Sequence, residues 1–102
     1  MEFALLGERC DAKTALDLGL VNWVIEEDRY EEFLSSLIQK LATGPTKALG
    51  RVKQLIRNSL QQTWDEQSHR EVESIRFAAA TSDHAEGVKA FSEKRKPHFI
   101  GE

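Results

Sequence analysis

EGVKAFSEKRKP, residues 86–97, begins as a helix, gathers Lys89, Lys94, Arg95 and Lys96 as it proceeds, and stops at Pro97, whose missing N–H and ring clash forbid continuation. The helix is expected to start near Ser82 or Asp83. Asp83 and Glu86 have the spacing of a capping box, and Ala85, Val88 and Phe91 are expected to face inward. The cation cluster is unexpected in a chain of 102 residues whose formal net charge is -3.

Upstream of this stretch the apolar residues keep helical spacing. Tyr30, Phe33, Leu34, Leu37, Ile38, Leu41 and Ala42 fall at steps of three and four behind Asp28, predicting an amphipathic helix that Gly44 and Pro45 end. Thr46 is expected to cap the next helix, whose face is Leu49, Val52, Leu55, Ile56 and Leu60. Gly50 inside it costs helix stability and points to close packing against a neighbour. A third long helix over about 63–80 has a thinner seam of Trp64, Ser68, Val72, Ile75 and Ala79, with Phe77 off the seam beside Arg76. Nearer the start, Phe3 to Leu6 end at Gly7, and Asp11 caps a short helix that Gly19 stops. LVNWVI, residues 20–25, reads as an extended segment or a single strand; either it stays coil or its partner lies elsewhere. The predicted fold class is therefore mainly α, with five to six helices and one short extended segment.

Composition narrows the function. Lys and Arg total 14 against 17 Asp and Glu, which argues against a nucleic-acid partner. Cys10 is the only cysteine, so no internal disulfide or CxxC site is available, which fits a cytoplasmic protein. No apolar run is long enough to cross a bilayer. His69, His84 and His98 lack the spacing of metal ligands, so no metal site is expected. The acidic run of Glu26, Glu27, Asp28, Glu31 and Glu32 reads as a solvated helix start. There is no GxSxG elbow and no glycine-rich loop after a strand. No catalytic residue and no resident cofactor are predicted. Two readings remain for the basic cluster: complementation of the helix dipole, or a phosphate contact by lysine with Phe77 supplying a stacking face for a base.

Three stretches in order carry a resemblance: LLGERCDAKTALDLGLVNWVI, LATGPTKALGRVKQLI and EGVKAFSEKRKPHFIGE. Each is weak alone. Their order and spacing resemble the C-terminal third of the enoyl-CoA hydratase/isomerase (crotonase) superfamily, over essentially all of residues 1–102. Gly7, Ala12, Ala15, Gly19, Leu20, Val21 and Val24 match the first motif, and Pro45, Ala48 and Lys53 the second. Glu86, Gly87, Ala90, Phe91, Lys94, Arg95, Pro97 and Phe99 match the third, whereas Cys10 departs from the family's usual aromatic or aliphatic residue. The subgroup is similar both to ring-epoxide isomerases of phenylacetate metabolism and to short-chain enoyl-CoA hydratases.

The resemblance implies a helical trimerisation and active-site-covering region. The oxyanion-holding N–H groups and acid–base carboxylates of the family would lie in an upstream spiral domain, absent from this chain. It implies self-association, as trimer or hexamer, and an acyl-CoA ligand as substrate rather than cofactor. The family's lysine that meets the phosphate or adenine end of CoA falls on Lys94. The aromatic that some relatives place near adenine falls on Ile75, which leaves Phe77 to supply that face. The alternative is a non-catalytic helical interaction module, and a further possibility is a stand-alone CoA-binding module.

Overall fold

The structure, a computed structural model, describes residues 2–102. They contain six α-helices and no strand: α1 (Glu2–Leu6), α2 (Ala12–Asp17), α3 (Tyr30–Ala42), α4 (Thr46–Ser59), α5 (Trp64–Ala79) and α6 (Ser82–Ser92). They fall into two compact units whose boundary, between Ser36 and Leu37, lies within α3.

In the first unit, the Asp11 carboxylate accepts the Thr14 N–H at 2.7 Å and starts α2. That backbone bond is the main reason its pKa lies below the ordinary carboxylate value. Gly19, at φ 69°, ends the helix. Its N–H donates to Leu16 and that of Leu20 to Ala15, the paired bonds of a Schellman motif. LVNWVI is coil among the described residues. It is anchored by Trp23, whose ring lies 5.4 Å from that of Phe33, tilted by 60°. A 3-10 turn, Glu27–Arg29, precedes α3, so the α-helix starts after Asp28 rather than at it.

In the second unit α5 packs against α4 and α6. Several expectations change here. Thr46 is the first helical residue of α4, and Pro45 takes the cap position without a side-chain bond. Gly50 has open space where its Cβ would be, so it does not admit a close neighbour. The covered face of α4 is Ala48, Arg51, Leu55 and Asn58, spaced as one helical stripe. On α5 the buried residue is Ser74, flanked by half-buried Gln67 and Ala78. Trp64 and Ile75 of the expected seam are 86% and 68% exposed. On α5 small and polar side chains, not the most apolar ones, are covered.

A further change concerns α6. Its cap is Thr81, whose hydroxyl accepts the His84 N–H at 3.1 Å. The inward stripe is Asp83, Glu86, Gly87 and Ala90, and Ala90 is the one fully buried hydrophobic residue among those described. Val88 and Phe91 are 58% and 87% exposed, and Ala85 is exposed too. Asp83 and Glu86 do not form a capping box. Their carboxylates receive the chain that returns after Pro97: Ile100 and Gly101 N–H donate to Asp83, at 2.8 and 3.0 Å, and His98 N–H to Glu86 at 2.8 Å. A reciprocal bond runs from Asp83 N–H to the Glu102 carbonyl. Residues 98–102 thus lie along the first half of α6 as a strap. The unexpected capping box is on α5, where Thr63 and Glu66 exchange bonds that hold the Glu66 pKa low.

Candidate functional site

The end of α6 is where the sequence places its cations, and its geometry is specific. Lys94 adopts φ 53°, the left-handed region, and is the only non-glycine residue among those described to do so. Its N–H donates to Phe91 and that of Arg95 to Ala90, at 3.2 and 3.0 Å. This is the same Schellman closure as at Gly19, built on a residue with a Cβ. A left-handed conformation costs an L-residue roughly 1–2 kcal/mol, so the surroundings must hold Lys94 there.

Arg95, the next residue, is fixed through its side chain. Its Nη1 and Nη2 donate to the two Glu86 oxygens at 2.6 and 2.9 Å, a bidentate pair. Its Nε donates to Glu93 at 2.6 Å, and Nη1 also reaches the Lys96 carbonyl at 3.1 Å. The Arg95 fork, then the His98 N–H, hold the Glu86 pKa at about 2, far below its ordinary 4.5. Arg95 is shifted the opposite way by the same two carboxylates. Lys89, Lys94 and Lys96 form no ion pair among the described residues.

Phe77 lies on α5, 39% exposed, with the Arg51 guanidinium 4.1 Å from its ring centroid. It borders a cavity of about 600 Å³ shared with Lys47, Ser82, Gly101 and Glu102. Lys94 does not line this cavity. It lies beyond the far end of α6, some 15 Å along the helix from Ser82 at about 1.5 Å per residue. The two candidate ligand residues therefore do not converge on one pocket, and one face of Phe77 is already covered by a cation. Arg51 carried no signal in the sequence beyond its place on α4, since its partner is 26 positions away (77 minus 51).

A second cavity, about 400 Å³ and largely apolar, is walled by Pro45, Ala48, Ala78, Val88, Phe91 and Phe99 among others. Val88 and Phe91, two of the three apolar residues expected inside α6, line it. Cys10 is exposed, and no three His, Cys, Asp or Glu side chains among the described residues come together as metal ligands. No helix among them is long and apolar enough to cross a membrane.

The enoyl-CoA hydratase/isomerase family profile matches residues 1–102. The chain is 37% identical over 101 residues to 1,2-epoxyphenylacetyl-CoA isomerase of Escherichia coli (strain K12), covering 99% of this chain and 38% of that protein. It is 33% identical over 100 residues to trans-2-decenoyl-[acyl-carrier-protein] isomerase of Streptococcus mutans, again covering 38% of the relative. The crystal structure of an enoyl-CoA hydratase/isomerase from Mycobacterium abscessus superposes with a TM-score of 0.90 at 37% identity, over 96% of this chain and 38% of that one. The chain thus spans less than two fifths of the length of these relatives. The profile match over the whole chain, the likeness to solved structures and the helical architecture agree: the chain belongs to the enoyl-CoA hydratase/isomerase family, with a crotonase-type fold.

Proposed function

We propose that this chain is the helical, active-site-covering and oligomerising part of a cytoplasmic enzyme that hydrates or isomerises a double bond in a CoA thioester. In this reading the bond-making residues are supplied outside the 102 residues, and the assembly is a trimer or hexamer. The observation that carries it is the bareness of the apolar helix faces. Ile38, Leu41, Val52, Ile56, Leu60, Trp64, Ile75 and Phe91 are all more than half exposed. Apolar surface on that scale marks a face that meets other protein.

Lys94 is proposed as the cation that meets the phosphates of the CoA ester. The support is the unpaired state of Lys94 at an exposed helix end, where a lysine acts as a point charge toward phosphate.

Crotonyl-CoA hydration, followed by loss of the enoyl absorbance, tests the assignment. The 102 residues alone are expected to be inactive; clear turnover by them would place catalysis within this chain and overturn the proposal. Sedimentation gives a second check. Self-association is expected, whereas a stable monomer that leaves no apolar face bare would favour a self-sufficient interaction module.

A further inference from the structure

The three cations at 94–96 are not equivalent. Arg95 is saturated: both ends of its guanidinium bond carboxylates, and a third contact goes to the Lys96 carbonyl. Lys94 and Lys96 make no ion pair among the described residues. Between them the backbone is held in a left-handed turn at Lys94 by the two main-chain bonds that close α6. Lysine has no intrinsic preference for that turn. Its persistence points to an external constraint, and the Arg95 fork lies directly after it in the chain.

We propose that the Glu86–Arg95–Glu93 clamp is a positioning device for anion binding at Lys94. The clamp withdraws Arg95 from competition for the anion and holds the left-handed turn that sets the direction of the Lys94 side chain. This rests on the reading of Lys94 as the phosphate-meeting cation. Glu86, Arg95 and Glu93 are positioning residues, since none of them is argued to touch the ligand.

Plain electrostatics and positioning differ in sign here. If Glu86 only neutralises charge, Glu86→Gln removes one negative charge beside the site, raising the net charge by one, and tightens an anion. If it positions Lys94 through Arg95, the same substitution weakens the anion despite the added charge. Arg95→Lys holds net charge constant and removes the planar fork, because an ammonium cannot bridge two carboxylate oxygens in that geometry.

Coenzyme A titrated calorimetrically into the native protein, at low and high salt, makes the test. Lys94→Ala is expected to weaken binding about fivefold at low salt, less at high salt. Glu86→Gln and Arg95→Lys are each expected to weaken it by about half that factor or more, and to have no further effect on a Lys94→Ala background. Unchanged or tighter binding in Glu86→Gln and Arg95→Lys, with Lys94→Ala still impaired, overturns the clamp and leaves the lysine's role standing. Unchanged binding in Lys94→Ala overturns both. If Glu86→Gln loses helical circular dichroism, Arg95→Lys carries the test. A residue-94 backbone coupling that keeps its left-handed value in Arg95→Lys also overturns the clamp.

Discussion

Gly19 and Lys94 hold the same position of the same helix-ending motif, at φ 69° and φ 53°, with matching pairs of main-chain bonds. Glycine meets that conformation without strain and lysine does not. Substituting Lys94→Gly is expected to stabilise the fold by about 1 kcal/mol, and Gly19→Ala to destabilise it by about the same amount. Urea unfolding of the two variants against wild type checks both signs. A Lys94→Gly variant that is less stable would mean that the lysine's side chain gives more than its backbone costs.

Acid should loosen the end of α6 in a defined window. The folded pKa of Glu86 is depressed, to about 2 from 4.5, so its stabilising contribution is complete above about pH 4.5 and is lost as pH falls toward 2. Thermal unfolding of wild type and Glu86→Gln across pH 2–7 should show a gap that is widest near neutrality and closes at the acid end. Added salt should narrow it, because the Arg95 and Glu86 side chains are partly solvated. A gap that does not depend on pH would show that the carboxylate's charge is not what holds the turn.

Asp83 is only 3% exposed and accepts two strap N–H groups. Asp83→Ala removes both acceptors together and is expected to cost about 1–3 kcal/mol. Hydrogen exchange gives the sharper readout. Ile100 and Gly101 amides should lose protection in the variant while the middle of α5 keeps its own.

Arg51 and Phe77 should be energetically coupled. A guanidinium 4.1 Å from a half-exposed ring is worth about 0.5–1 kcal/mol. A double-mutant cycle of Arg51→Ala and Phe77→Ala is expected to show a coupling of that size. Additive effects would mean that the ring is free to accept another partner on that face.

Helix positions were legible in the sequence because they depend on periodicity and on caps a few residues away. Asp11 and Gly19 start and stop a helix where their chemistry says they should, whereas α6 ends at Ser92 on the Lys94 turn, short of the Pro97 stop expected from the sequence. The covered stripe was not legible on α5, since periodicity identifies an apolar face but not what covers it. Trp64, Val72 and Ile75 have no cover within the second unit, so small Ser74 and Ala78 take the contact. Asp83 and Glu86 misled for a related reason. Carboxyl groups three apart at a helix start suit a capping box, but their actual main-chain donors lie 12 to 18 positions downstream. The cation cluster was visible at once. Its division into one engaged arginine and unpaired lysines was not, because it depends on the reach from Arg95 back to Glu86 across the closing turn.

The strap after Pro97 is gripped through its main chain. His98, Ile100 and Gly101 are bound by their N–H groups, while the side chains of His98 and Ile100 face solvent. Mutational tolerance there should therefore be unusual in pattern. Most side chains at 98 and 100 can be exchanged freely, whereas proline at either position deletes a donor. Gly101 admits nothing larger, since at φ 79° an added Cβ would sit 2.6 Å from the Thr46 hydroxyl. A strap read this way can diversify its outward chemistry without loosening its hold on α6.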